Sequence, residues 1–247
     1  MQYQRKALQK LHGYWLSLIS FLILSKCLGS LIMELFSTGE SLFNVLLSAL
    51  LSVFLVAIFE ISFNFASWNV VNNKYPSLGL LFKGFKNQYY SVLVEINFIK
   101  FIFIGICTFL CSLAYVSKFG IVKLIQYNLN FGNLLIKVVS QITNGQINYS
   151  LLSLATLICC VMLILELFIG AYFNLLFFAK ISNPIWSLKD IFIRTYNSMH
   201  NNWWNLIKLQ LSFIPWYLTC LFTFSITLIF VIPFNQVALA IFYKDLK

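Results

Sequence analysis

The chain has 247 residues, of which 60% are hydrophobic and only 10% are charged. Soluble domains are about 45–50% apolar and about 25% charged, so this composition excludes a water-exposed globular surface. The formal net charge is +10, but the basic residues are scattered without a dense run, which favours anionic lipid headgroups and membrane topology over nucleic acid as its cause.

Six apolar stretches are each long enough to cross the roughly 30 Å hydrocarbon layer, which needs about 20 helical residues. The first is too long for a signal-peptide core, so we expect it to be retained as a helix. Residues 203–247 could form one long helix with a tail or two shorter spans, and we favour two, in a hairpin that turns near residues 223–227. We predict an all-α, polytopic transmembrane bundle of about six spans in a single integral membrane domain over residues 1–247. The spans lie near residues 14–36, 42–71, 91–116, 151–178, 204–223 and 227–245.

Two polar segments, near residues 77–90 and 185–200, interrupt the apolar pattern. In the first, Leu78, Leu81, Phe82 and Phe85 recur at spacings of three and four, which predicts a short amphipathic helix in the headgroup region. The second has similar residues at matching positions, so either a weak internal duplication or the shared composition of amphipathic helices explains the likeness. Residues 117–150 are predicted to form a long connection with one or two surface helices.

Lys and Arg are unevenly divided between the two predicted sides of the membrane. The side that carries both termini has about twelve of them, whereas the other has Lys118, Lys123 and Lys137. By the positive-inside rule, both termini are predicted to be cytoplasmic.

Five ionisable residues fall inside predicted spans, where a charge costs about 2.5–3.5 kcal/mol on insertion scales. Lys26 and Glu60 have similar depths on helices joined by a short turn, so they can meet. Lys100 and Glu166 can meet in the same way if the third and fourth spans touch. Three interpretations are open: buried ion pairs that fix helix register, a proton or substrate pathway, and side chains that snorkel to the interface or lie beyond misplaced span boundaries. The full set is Lys26, Glu60, Glu95, Lys100 and Glu166.

The sequence lacks the usual signatures of catalysis and of metal or cofactor binding. HExxH, GxSxG, Walker and GxGxxG motifs do not occur, and the six cysteines form no CxxC pair. We therefore predict a non-enzymatic protein with no catalytic residue, metal or cofactor. Four aromatic residues lie where a polar segment enters a span and are predicted to be interfacial anchors: Tyr89, Tyr90, Trp203 and Trp204.

Short motifs along the chain resemble those of a known family. They are Arg5, Ala7, Leu11, Gly13 and Trp15 near the start, Asn183-Pro184, Ser198-Met199-His200-Asn201-Asn202, Leu209-Gln210-Leu211-Ser212-Phe213-Ile214-Pro215-Trp216, Pro233-Phe234 and Phe242-Tyr243. This pattern is similar to that of the bacterial integral membrane family catalogued as domain of unknown function 975, although Gly is usual there at position 215 and Tyr at position 234. The resemblance implies a bacterial membrane protein and no particular substrate. It also implies that Ser212, Trp216, Pro233 and Tyr243 belong to the shared architecture.

Taken together, these features lead us to expect a multi-pass protein of the bacterial cytoplasmic membrane that acts through partners. An accessory or protective, immunity-like factor for envelope or peptide-export machinery has these properties. Its partners would be membrane lipids and another membrane protein or a membrane-active peptide, and no nucleic acid. The alternative is a small solute or lipid transporter that uses charges in the cytoplasmic half of the membrane around a cavity, namely Lys26, Glu60, Lys100 and Glu166.

Overall fold

The computed structural model of the protein describes residues 2–36, 47, 50–119, 149–223 and 226–246. In these ranges the chain forms helices and turns and no strand, so the all-α prediction is confirmed. The predicted connection over residues 117–150 and the start of the second predicted span lie mostly outside the described residues.

The α-helices are α1 (Gln2–Leu11), α2 (Trp15–Phe36), α3 (Ala57–Val71), α4 (Asn87–Phe119), α5 (Tyr149–Ser182), α6 (Leu188–Met199), α7 (Trp203–Phe222) and α8 (Leu228–Leu246). A π-helical turn, Ser52–Val56, runs directly into α3, and a 3₁₀ helix, Leu78–Phe85, precedes α4. The chain forms two compact units. The first comprises Met1–Lys100 and Ala171–Lys247, and the second comprises Phe101–Gly170.

Five helical segments are long and apolar enough to cross a membrane: Trp15–Leu35, Ser52–Val71, Asn87–Cys107, Ile164–Ser182 and Leu228–Leu246. The predicted sixth span, residues 204–223, corresponds to α7 and is not among them. Asn205, Lys208 and Gln210 lower the hydropathy of that helix. Five candidate spans in the described part of the chain are consistent with the predicted transmembrane bundle, and the sixth span stays a prediction.

The core of the first unit lies around α3 and α8, both of which are buried along most of their length. Helix α1 packs against the end of α8, with Ala7 and Leu11 buried and Tyr3 edge-on to Phe242 at 5.3 Å. The basic N-terminal segment was not predicted to be helical. Its helix brings the two ends of the chain together.

Helix α2 approaches the π-helical turn before α3 closely at Gly29. A Cβ atom at Gly29 would lie 3.0 Å from Cγ1 of Val56. Small residues of this kind allow transmembrane helices to approach each other. The π-helical turn before α3 interrupts the regular hydrogen bonding of the backbone, and the carbonyl of Val53 accepts a bond from Asn97 Nδ2 of α4 at 3.3 Å.

The first polar segment differs from the predicted amphipathic helix. Residues Leu78–Phe85 form a 3₁₀ helix, and α4 begins at Asn87, so the segment is not one helix through residue 90. A 3₁₀ helix has 3.0 residues per turn, which places Leu81 and Gly84 on one buried face against α3. Leu78 and Phe82, which were predicted to share the apolar face with Leu81, are instead exposed.

The second polar segment is an α-helix, as expected. Ser187 and Asp190 form a capping box at the start of α6, in which each side chain bonds the backbone N–H of the other residue. Ile191, Thr195 and Met199, at spacings of four, form its buried face. Because the two polar segments adopt different helix types, their structures do not support an internal duplication.

In the second unit, the described side chains of α4 are mostly exposed and apolar. Phe101, Ile102, Phe103 and Ile106 are all exposed. A surface of this composition suits lipid acyl chains.

Candidate functional site

An ion pair links α2 and α3 at the same depth. Lys26 lies eleven residues after the start of α2 and Glu60 eleven residues before the end of α3, so each is about 16 Å from that end of its helix. Lys26 Nζ lies 2.5 Å from Glu60 Oε1. The predicted contact between Lys26 and Glu60 is therefore confirmed, but the interpretation of it as a buried pair is not supported, since the two side chains are 58% and 48% exposed. They lie on the outer face of the two helices rather than between them.

The ion pair does not include the other three charged residues predicted to lie in spans, which are Glu95, Lys100 and Glu166. Glu95 is exposed on α4 and interacts electrostatically with Lys180 of α5. Lys100 lies in the first unit and Glu166 in the second. Their pairing stays a prediction.

Three amide side chains from three spans form a closed ring of hydrogen bonds inside the first unit. Asn64 Nδ2 of α3 donates to Asn174 Oδ1 of α5 at 3.3 Å, and Asn174 Nδ2 donates to Gln236 Oε1 of α8 at 3.3 Å. Gln236 Nε2 closes the ring by donating to Asn64 Oδ1. Each amide therefore donates once and accepts once, which satisfies polar groups that would be costly in hydrocarbon.

A second amide cluster is formed around Asn235, the residue that precedes Gln236 on α8. Asn235 exchanges two hydrogen bonds of 3.5 Å with Gln210 of α7 and donates a third to the hydroxyl of Tyr217 at 2.9 Å. Asn235 and Gln236 together connect α8 to three other helices. Neither cluster was predicted from the sequence. The signal was the presence of Asn and Gln within apolar stretches, where side-chain hydrogen bonds between helices are expected.

Lys180, near the end of α5, is a buried charged residue that holds the following turn. Its ammonium donates to the carbonyls of Pro184 at 2.7 Å and of Trp186 at 3.0 Å. A lysine in the last turn of a helix also interacts favourably with the helix dipole.

A cleft of about 500 Å³ lies where the ends of the chain meet. Lys6, Lys10 and Lys244 contribute its positive charge, and Asp245 is its acidic residue. Lys6 Nζ lies 2.7 Å from Asp245 Oδ2, and this hydrogen bond raises the pKa of Lys6. Val71 and Ile241 add an apolar part to the lining. This basic cleft was not predicted from the sequence.

Of the four predicted interfacial anchors, Trp204 is the most exposed, at 71%. Trp203 stacks on Tyr172 at 5.5 Å, and Tyr90 stacks on Phe85. The anchor prediction is wrong for Tyr89, which is buried and packs edge-on against Phe65. It belongs to the core because α4 begins beside the middle of α3.

The four residues implied by the family resemblance occupy packing positions. The Ser212 hydroxyl donates to the carbonyl of Leu209 on its own helix at 2.6 Å. Trp216 packs edge-on against Phe234, and Pro233 is buried within α8. The Tyr243 hydroxyl lies 3.4 Å from Ser182 Oγ and connects α8 to α5.

A family model described as "Protein of unknown function (DUF975)" matches residues 1–247. No curated protein and no solved structure matches the chain.

Proposed function

The chain belongs to this family of unknown function, DUF975, over residues 1–247, and from this premise we propose that it is a non-enzymatic, multi-pass protein of the bacterial cytoplasmic membrane that acts through a partner protein. An accessory or protective, immunity-like factor for envelope or peptide-export machinery acts in this way. The partner is a membrane protein that contributes a helix with a polar side chain.

The observation that carries this proposal is the exposed ion pair between Lys26 and Glu60. In the chain alone the pair faces the bilayer, where two charges keep a desolvation cost that their mutual attraction only partly offsets. If the pair served only to fix helix register, burial between α2 and α3 would suit it better. A polar side chain from a partner helix would bond the pair and exclude lipid from it.

The two charged groups retain the capacity to bond a partner. The Lys26 ammonium has three N–H donors and uses one on Glu60, and the Glu60 carboxylate has a second oxygen that can accept. Hydrogen bonds between membrane helices contribute about 0.6 kcal/mol on average, and bonds to charged groups about 1.5–3 kcal/mol in water-soluble proteins. One or two such bonds would favour a partner whose polar side chain lies at the depth of the ion pair in the membrane.

The transporter alternative predicts that the charges surround a polar cavity. Lys26 and Glu60 instead lie on the outer surface of the first unit, and the buried amides of that unit bond one another. Both observations support the partner proposal over the transporter.

Photo-crosslinking in the bacterial membrane tests the proposal. A photoreactive amino acid replaces Ile23, which lies one turn before Lys26 and is 47% exposed. The control position is Phe98 on α4, which is also apolar and is 48% exposed. We expect one discrete crosslinked product from position 23, weak or no product from position 98, and loss of the product when Lys26→Met is added.

Two results would contradict the proposal. One is equal, diffuse crosslinking from both positions, which indicates lipid contact alone. The other is a product of twice the protein's mass, which indicates a second copy of the chain and not another protein.

A further inference from the structure

We propose that the basic cleft at the chain ends binds the phosphate-bearing headgroup of an anionic glycerophospholipid. The cleft lies in the first unit, between α1, the end of α3 and the end of α8. It shares no residue with the ion pair of Lys26 and Glu60, so the inference does not rest on the proposed function.

The charge of the cleft fits an anion. Lys6, Lys10 and Lys244 bring three positive charges, and Asp245 neutralises one of them through its bond to Lys6. His12 adds a further polar group to the lining. Two positive charges are therefore left for a ligand.

Two of the lysines are held in place by neutral amides, which leaves their charge uncompensated. Lys10 Nζ donates to Asn73 Oδ1 at 2.7 Å, and Lys244 Nζ donates to Asn72 Oδ1 at 3.0 Å. Asn73 has a φ of 58°, a left-handed conformation that Asn adopts more readily than most residues. The turn after α3 thus orders two ammonium groups, each of which keeps donors for a phosphate oxygen.

The position of the cleft identifies the ligand as a lipid. Three candidate spans reach their ends beside it: one begins at Trp15, one ends at Val71 and one ends at Leu246. The ends of membrane spans lie at the level of the lipid headgroups, where anionic lipids attract juxtamembrane lysines.

The lining also has the two-part chemistry of a lipid. Val71 and Ile241 are apolar and lie beside the lysines, and Tyr14 at the rim packs against Tyr75 at 4.6 Å. A glycerophospholipid offers an anionic phosphate next to an apolar glycerol ester region. A free phosphate would leave the apolar part of the cleft without a partner.

Native mass spectrometry of the purified full chain in detergent tests the inference. The protein is titrated with phosphatidylglycerol and, separately, with phosphatidylcholine of the same acyl chains. The test variant combines Lys10→Gln with Lys244→Gln. The matched control combines Lys86→Gln with Lys189→Gln, two exposed lysines outside the cleft, and removes the same charge. A third variant combines Lys10→Arg with Lys244→Arg to keep the charge.

We expect one phosphatidylglycerol to bind with at least a tenfold preference over phosphatidylcholine. Loss of the two cleft lysines should weaken its binding roughly 30-fold, the effect of two lysines at a membrane surface. The control variant should change binding less than about threefold, and the arginine variant should bind nearly as the unchanged protein does. Retained binding in the arginine variant also shows that the two positions tolerate substitution.

Three results would overturn the inference. Equal weakening in the test and control variants would show general surface attraction. Equal binding of the two lipids would exclude recognition of the anionic headgroup. Displacement of phosphatidylglycerol by millimolar inorganic phosphate, with phosphate itself bound, would assign the cleft to a soluble phosphate ligand.

Discussion

Replacing one amide of the buried ring should destabilise the protein more than replacing all three. Gln236→Met removes the donor to Asn64 and the acceptor of the bond from Asn174, so two of the three hydrogen bonds are lost. Such bonds contribute about 0.6 kcal/mol each in membrane proteins and at most about 1.7 kcal/mol. The free energy of unfolding should therefore fall by about 1–3 kcal/mol.

The triple variant Asn64→Leu, Asn174→Leu and Gln236→Met should lose less. It breaks all three bonds but leaves no amide buried without a partner, and removing all members of a buried polar group can be nearly neutral. The apolar replacements are close in shape to the amides. The ring thus predicts a strongly non-additive set of changes, because its members depend on one another.

Unfolding by sodium dodecyl sulfate from mixed micelles gives the free energies for the single variants and the triple variant. Gln88→Met, at an exposed position near the start of α4, is the control and should change stability by less than about 0.5 kcal/mol. If the triple variant lost more unfolding free energy than Gln236→Met alone, the reasoning from the ring would be refuted.

Three further changes have defined outcomes. Gly84→Ala places a Cβ 2.7 Å from a side-chain atom of α3 and should cost about 1–3 kcal/mol of unfolding free energy, whereas Gly79→Ala, whose nearest atom would be 4.0 Å away, should cost less. Lys180→Met leaves two carbonyls without their donor and should lower the midpoint of thermal unfolding. Hydrogen bonds from Ser187 lower the pKa of Asp190. The capping box therefore stabilises α6 fully at pH values above the ordinary carboxyl pKa. This contribution is lost as the pH falls through the lowered pKa of Asp190. Ser187→Ala should therefore weaken hydrogen-exchange protection of α6 near neutral pH and have little effect under strongly acidic conditions.

The long spans could be predicted from the sequence, but the faces they present could not. Uniformly apolar stretches identify α2 and α3, and equal distances from the helix ends place Lys26 and Glu60 at one depth. Whether that pair faces inward depends on the rotation of each helix about its axis. A helix that is apolar on all sides carries almost no periodic signal for that rotation.

The buried amide ring could not be predicted because its members are far apart in the chain. Asn64 and Gln236 are 172 positions apart. In the sequence each amide is only an isolated polar residue within an apolar stretch. The packing of three helices brings the three amides together. The 3₁₀ helix was missed for a related reason. Gly84 lies against Ile58 of α3, and this close contact, rather than the local apolar spacing, determines how the segment packs.

The depth of the polar groups of the first unit, measured from one end of its helices, restricts the partner. The basic cleft lies at that end, and Asn64 lies seven residues, about 10 Å, before the end of α3. The ion pair of Lys26 and Glu60 lies about 16 Å along the helices, or about half of a 30 Å hydrocarbon layer, which is as deep as Asn235, eleven residues before the end of α8. A protein bound only to the membrane surface cannot reach that depth. Any partner that bonds the pair must therefore be embedded in the membrane, with a polar side chain about eleven residues from the end of its own span on the same side.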